Sequence, residues 1–233
     1  MSDATDGLAF TMEAYADLVT SLLDDGYRFT DYANAAERTV VMRHDVDLSV
    51  ERALAMARLE ADLGVTSTYF FLVTAPVYNL VHPETRAAVE EIAALGCDVG
   101  LHFDTHHYWD DRPAEAELVE RVRAETESLE RVVGTSVETV SFHVPPEWVL
   151  NRAFDSFVNA YAPRYFEEPT YVSDSNQKWR AGPPFPDGVP ERVQILVHPG
   201  LWHEDDRPLA EVLRTVEERT HDGVARFMAP LGE

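Results

Sequence analysis

The stretch VVMRHDVD at residues 40–47 joins an apolar, β-branched run to a group of charged side chains. Runs of this kind are typical of a strand buried within a parallel sheet, and α/β folds place their active sites at the carboxyl ends of such strands. The stretch therefore predicts a buried strand that carries Asp45 and Asp47 into a functional site. The alternative interpretation is that these aspartates form a turn or cap the next helix, positions that Asp favours.

Apolar runs and amphipathic segments alternate along the rest of the chain. The pattern predicts further strands over residues 68–73, 97–101, 137–142 and 193–197. The proline-rich segment 163–190 is expected to be irregular, with at most a short strand near 170–172. Apolar residues at helical spacing predict helices that end at Gly26, Gly64, Gly96 and Gly134, the second capped by Ser49, together with a weaker helix over 151–161 and a last helix around 209–216.

This alternation predicts an α/β fold. Strands separated by helices of this length form a parallel sheet of right-handed βα units, here a closed or nearly closed barrel. A chain of 233 residues is long enough for one well-buried core. We therefore expect a single domain over 1–233, in which residues 1–37 form an N-terminal helix and lead-in.

The chain is strongly acidic. Its 19 Lys and Arg residues against 42 Asp and Glu residues give a net charge of −23, and Lys178 is the single lysine. Such a surface repels nucleic acids and anionic membranes, so neither is an expected partner. The 45% hydrophobic content argues for a folded chain. An acidic, lysine-poor surface suits concentrated salt, and we predict a halophilic source.

Cysteine content and hydropathy bear on the cellular compartment. Cys97 is the only cysteine, which precludes an internal disulfide, and the sequence contains neither a signal-peptide pattern nor an apolar run of ~18 residues. We therefore expect a cytoplasmic protein without a membrane span. No sequence pattern indicates an oligomeric state.

Histidines follow several of the predicted strands. His102 and His106 come after the third strand, His143 after the fourth and His198 after the last, so they can meet Asp47 at one end of a barrel. Imidazole and carboxylate groups are ligands for Zn²⁺ or a similar divalent ion, and three of them leave a position for water. We expect one such ion per chain, although a His-x-x-x-His pair by itself is often incidental.

The order of these motifs resembles the polysaccharide deacetylase family, also called carbohydrate esterase family 4. The resemblance covers residues 40–202 and rests on Asp-x-Asp at 45–47, His-x-x-x-His at 102–106, Pro-Pro at 145–146 and Leu-Val-His-Pro at 196–199. It implies a distorted, TIM-like (β/α) barrel of about seven parallel strands with its active site at their carboxyl ends. It also implies a hydrolase of carbon–nitrogen bonds other than peptide bonds, which removes acetyl groups from N-acetylated sugars with one metal ion. The Arg-His-Asp-Val-Asp form is similar to a branch associated with surface-polysaccharide synthesis.

The resemblance also implies roles for individual residues. Asp45 is expected to be the general base, His198 the general acid, and Asp47, His102 and His106 the metal ligands. Loop tryptophans can stack on sugar rings, and we predict substrate contacts from Arg43, His143, Trp148 and Trp202.

Two features depart from the family pattern. The family has an arginine just before its Pro-Pro pair, where this chain has His143 and Val144. The partner of the base is then Arg43, His143 or Arg180. The third metal ligand is also open, because His107 adjoins His106 and Asp104 offers an oxygen ligand.

Two other functions are compatible with these motifs. One is hydrolysis of a different bond, such as a cyclic amide or an ester, by the same metal site. The other is a non-catalytic glycan-binding protein on the same scaffold, which requires Asp45 or His198 to lie out of reach of the metal.

Overall fold

The computed structural model describes residues 7–34, 36–167 and 170–232. The chain has an α/β fold, as predicted. Its strands are β1 Arg28–Thr30, β2 Thr39–Val46, β3 Thr68–Leu72, β4 Asp98–Phe103, β5 Thr139–Phe142, β6 Val158–Asn159, β7 Thr170–Ser173 and β8 Arg192–Val197. Its helices are α1 Met12–Asp24, α2 Val50–Asp62, α3 Pro83–Ala94, α4 Glu115–Val133, α5 Pro163–Phe166 and α6 Leu209–Met228.

Seven parallel strands form one curled sheet in the order β6-β5-β4-β3-β2-β8-β7, and β1 pairs with the first half of β2. The segment that follows β6 closes the open side. Gln194 on β8 donates its side-chain amide to the carbonyl oxygens of Ala160 at 3.1 Å and Tyr165 at 2.6 Å. The rings of Tyr161 and Tyr171, beside the two outermost strands, have centroids 6.3 Å apart. The distorted barrel is therefore closed by side chains and not by a continuous ring of strands.

All eight residues of β2 are buried, and its side chains alternate between two environments. Val41 packs inside the curled sheet with Tyr32 and Phe70, whereas Val40 and Met42 pack against the helices on the outside. Because the period of a strand is two, Arg43 and Asp45 share the inner face with Val41. His44 faces the helices, and Asp47 comes just after the end of the strand.

His44 is part of a polar cluster buried between the sheet and the helices. Its Nε2 lies 2.7 Å from Oε1 of Glu60 on α2, and Tyr15 on α1 donates to the same oxygen. Oε2 of Glu60 accepts from Ser67 at 2.6 Å and from Tyr69 at 2.8 Å. Burial by itself raises the pKa of Glu60, but His44 and the hydroxyls of Ser67 and Tyr15 outweigh it and hold that pKa below its usual value.

The sequence-based prediction is wrong in two places. The helix expected over 151–161 does not form. The chain turns at Asn151, whose φ is +52°, and Asn159 uses its side-chain amide to bond the carbonyls of Val149 and Arg152. Such side-chain bonds to the backbone compete with helix formation. Strand β1 was not predicted.

Other predicted features are confirmed. The short strand near 170–172 is β7. Ser49 caps α2 by accepting from the backbone N–H of Arg52, and Gly134 ends α4 in the left-handed conformation. Among the residues that the structure describes, no helix is both long and apolar enough to cross a membrane.

Replacing Glu60 with Gln is expected to lower the free energy of unfolding by about 3 kcal/mol, because four buried partners lose a charged acceptor. Denaturant unfolding at neutral pH and constant salt measures this. The matched control is Glu91→Gln, which breaks an exposed ion pair with Arg58 and should change the free energy by less than ~1 kcal/mol.

The effect of Glu60→Gln should also depend on pH. Since folding lowers the pKa of Glu60, its contribution is present at neutral pH and is lost as the pH falls below the ordinary glutamate value of ~4.3. The stability difference between wild type and variant should shrink over that range. A difference that stays constant down to pH 3 would contradict this assignment.

Candidate active site

The carboxyl ends of the strands open into a cleft of about 530 Å³. Five strands contribute polar side chains to its wall. These side chains are Asp47 after β2, His102 on β4, His143 after β5, Ser173 on β7 and His198 after β8. The convergence that was expected from the strand ends is therefore present in the structure.

Asp47, His102 and His143 form a compact cluster within this cleft. Oδ1 of Asp47 lies 3.1 Å from Nε2 of His102 and 3.3 Å from Nδ1 of His143. Neither contact has hydrogen-bond geometry, and within the described chain this buried oxygen has no donor. One ligand atom from each residue lies within 4.8 Å of the other two. The set fits a divalent cation, with a position left for water.

A hydrogen-bond chain behind this cluster sets the tautomer of His102. The Ser141 hydroxyl donates to Oδ1 of Asp45 at 3.2 Å, so its oxygen is left to accept from Nδ1 of His102 at 2.6 Å. With its proton on Nδ1, His102 presents the lone pair of Nε2 to Asp47. Two acceptors then face each other, an arrangement that a cation between them satisfies.

The negative charge of Asp47 makes this part of the cleft favourable for a positive charge. The carboxylate of Asp47 contacts His143 and raises the pKa of that imidazole, against the opposing effect of burial. A bound cation would replace the proton that this environment attracts.

His143 takes the place in this cluster that was predicted for His106. The backbone N–H of His143 donates to the carbonyl of Phe103 at 2.9 Å, which continues the pairing of β5 with β4 and brings the imidazole to the strand end. Val144 then turns the chain with a φ of +42°. His106 is exposed, and its Nε2 lies 3.2 Å from the carbonyl of Val144. Among the described residues, the group that can hold a cation does not include His106.

The two other candidates for the third ligand have different surroundings. Asp104 accepts from the backbone N–H of His106 at 2.9 Å and caps the short 3₁₀ turn Thr105–His107. His107 is exposed, with its ring against Tyr108. Neither residue is grouped with Asp47 and His102.

Arg43 is the partner of Asp45. Its Nε and one terminal nitrogen donate to the two carboxylate oxygens at 2.8 and 2.7 Å. Arg43 is 0% exposed. It therefore positions Asp45 and is not placed to contact substrate, contrary to the prediction. Burial by itself raises the pKa of Asp45, but Arg43 and His102 outweigh it and lower that pKa. Arg180, the other arginine considered, pairs with Asp206.

Asp174 orients His198. Oδ1 of Asp174 lies 2.5 Å from Nδ1 of His198, and both carboxylate oxygens accept from its backbone N–H. Burial by itself lowers the pKa of His198, but Asp174 outweighs it and raises that pKa to about 9. Nε2 of His198 lies 3.8 Å from Oδ2 of Asp47. The protonated imidazole therefore faces the candidate metal ligands.

The tryptophans predicted to contact substrate lie elsewhere. Trp202 is 0% exposed and donates its indole N–H to Oδ2 of Asp174 at 2.8 Å, so it supports the carboxylate that orients His198. Trp148 is half-buried against the core, with its ring 5.8 Å from the guanidinium of Arg112. It is not among the described residues that line the cleft.

Sequence reasoning missed the supporting roles of Ser141 and Asp174. Asp174 directly follows β7. The rule that polar residues at strand ends form the site would therefore have found Asp174 if the sequence had defined where this short strand ends. Ser141 lies within β5 and carries no pattern that distinguishes it from a packed strand residue.

No family model and no curated protein matches the chain. Among solved structures, it is similar to IcaB from Ammonifex degensii, with 21% identity and a TM-score of 0.42 over 56% of this chain. That match spans 65% of IcaB, less than two thirds of its length. The deacetylase PplD of Streptococcus pyogenes matches with 13% identity over 81% of each chain and a TM-score of 0.47. A CE4 family pseudoenzyme from Bacillus anthracis matches with 12% identity over 82% of this chain and 63% of its own, with a TM-score of 0.46. CE4 denotes carbohydrate esterase family 4, which the motif order resembles.

The assignment of His143 as a ligand predicts a difference between two histidine variants. His143→Ala should lose most of its bound divalent metal, because one of three ligands is gone, whereas His106→Ala should keep it. Elemental analysis of both proteins, purified identically without chelator, measures this. Metal lost from His106→Ala and kept by His143→Ala would reverse the assignment.

Proposed function

We propose that this chain is a metal-dependent hydrolase that removes an acetyl group from an N-acetylated sugar or glycan precursor. The observation that carries the proposal is the single cleft in which an ionised carboxylate, a three-residue ligand set and a protonated histidine converge. A divalent ion held by Asp47, His102 and His143 would supply a Lewis acid and would lower the pKa of a water molecule in the cleft. We propose Zn²⁺, one per chain, because carboxylate and imidazole ligands suit it.

Asp45 is the general base in this proposal. Arg43 occupies both of its oxygens and Ser141 donates to one of them, which keeps the carboxylate ionised at neutral pH and fixes its orientation. Its Oδ2 lies 3.7 Å from Nε2 of His102, beside the ligand set. Asp45 takes a proton from the water whose oxygen bonds to the acetyl carbon.

His198 is the general acid. Asp174 holds the Nδ1 side of the ring, so the proton on Nε2 is directed into the cleft. As the bond between the acetyl carbon and nitrogen breaks, His198 gives this proton to the departing amine. Acetate and the free amino sugar are the products.

The geometry argues against the non-catalytic alternative. That alternative requires Asp45 or His198 to lie away from the metal ligands, yet each has an atom less than 4 Å from one of them, at 3.7 and 3.8 Å. The same groups could hydrolyse another amide or an ester. Screening cyclic amides and esters beside N-acetyl sugars distinguishes these substrates.

The cellular context is likewise a proposal. The net charge of −23 with a single lysine supports a halophilic source, since concentrated salt screens the repulsion between carboxylates. We also propose that the protein acts in the cytoplasm.

The division of roles between the two aspartates predicts different effects of their substitution. Asp45→Asn should keep the metal and lose acetyl release by a factor of at least about 10², because the base is gone but the ligands remain. Asp47→Ala should lose both. Acetate release from small N-acetyl sugars and elemental analysis on the same samples test this, and equal metal loss in the two variants would refute it.

The role of Asp174 predicts a second effect on turnover. Asp174→Asn should lower kcat by roughly tenfold or more with the metal retained, because His198 loses the charge that holds its proton and its orientation. Trp202→Phe is the matched control, since it removes one hydrogen bond to Asp174 and leaves the charge; its effect should be smaller. Equal effects would show that packing around Asp174, and not its charge, matters.

A further inference from the structure

The single lysine of the chain lines the active-site cleft. The sequence has 18 arginines and one lysine among 42 acidic residues, and Lys178 lies with Asn176 on the wall of the cleft. It is exposed. Within the described chain, no hydrogen bond or ion pair engages its ammonium group. A cation left without a carboxylate partner on so acidic a protein is available to a ligand.

The turn that carries Lys178 is held in a fixed and strained conformation. Asn176 and Gln177 both have left-handed backbone angles, with φ of +56° and +55°. Gln177 is buried, donates to the carbonyl of Arg207 at 2.8 Å and accepts from Arg180 at 2.9 Å. Trp179 is buried on the other side. Anchors on both neighbours therefore position the backbone of Lys178, and backbone strain of this kind clusters at functional sites.

The same turn begins at Asp174, the residue that orients His198. The backbone N–H of Gln177 donates to the carbonyl of Asp174 at 2.8 Å. Lys178 is thus connected to the catalytic machinery through a short, hydrogen-bonded segment. A group that binds Lys178 lies in the same cleft as a substrate whose nitrogen faces His198.

The lining of the cleft leaves the charge of Lys178 uncompensated. Of the two carboxylates that line it, Asp45 is paired with Arg43 and Asp47 faces the two histidines.

We propose that the substrate carries, in addition to its N-acetyl group, a negatively charged phosphoryl or carboxylate group that binds Lys178. This inference rests on the proposed function and narrows it to anionic N-acetyl sugars. The overall charge of −23 repels such molecules, so a cation within the cleft gives the anionic group a specific place to bind. An ammonium group suits this role, because it is a compact positive charge with three N–H donors on a flexible side chain.

A binding experiment tests this independently of turnover. Reductive methylation with ¹³C-formaldehyde places labels on Lys178 and the N-terminal amine alone, because the chain has no other lysine. The metal-loaded Asp45→Asn protein is titrated with N-acetylglucosamine 1-phosphate, N-acetylmuramic acid and neutral N-acetylglucosamine. The proposal expects the Lys178 methyl signal to shift with at least one anionic sugar and not with the neutral one. No shift with either anionic sugar, or an equal shift with all three, overturns it.

A kinetic experiment measures the consequence for specificity. The ratio of kcat/KM for the phosphorylated or carboxylated sugar to that for the neutral sugar should fall about fivefold in Lys178→Met and be retained in Lys178→Arg. An unchanged ratio in Lys178→Met overturns the proposal. Absence of acetate release from every sugar by the wild-type protein would instead refute the proposed function, while the methyl signal still reports on anion binding.

Discussion

Three consecutive polar side chains, Arg43, His44 and Asp45, are buried in the interior strand β2, and each needs a partner because water does not reach it. The alternation of the strand separates them. Arg43 and Asp45 pair with each other on the inner face, and His44 pairs with Glu60 on the outer face. An unpaired charge at Arg43 or Asp45 would destabilise the sheet, so the same pairing that stabilises the strand also orients the proposed base.

The groups of the candidate active site are organised by carboxylates on two sides of the cleft. On one side, Asp45 accepts from Ser141, which accepts from His102, and this chain directs a lone pair of His102 at Asp47. On the other side, the carboxylate of Asp174 accepts hydrogen bonds from the His198 ring and from the indole N–H of Trp202. The first arrangement favours a bound cation, and the second keeps a proton on a histidine. Opposite chemical tasks therefore arise from the same two residue types, and the difference comes from their hydrogen-bond partners.

Charge is distributed very unevenly in this protein. The surface is dominated by carboxylates, whereas the cleft holds three histidines and Lys178. Both sequence neighbours of that lysine are buried. Gln177 donates a hydrogen bond to the carbonyl of Arg207, and the ring of Trp179 packs against Trp202. A solvated surface residue would need no such anchoring.

The sequence by itself determined the α/β class, the principal strands, and the positions of Asp45, Asp47, His102 and His198 at strand ends. These follow from local periodicity and from the rule that parallel strands present their carboxyl ends on one side. Only the tertiary structure decided that His143 and not His106 joins Asp47, that Arg43 supports Asp45, and that Trp202 is buried beneath Asp174. It also replaced the helix expected over 151–161 with a turn and a short strand. Each of these depends on which side chains meet across strands distant in sequence, and on hydrogen bonds such as those of Asn159 that outweigh weak local propensity.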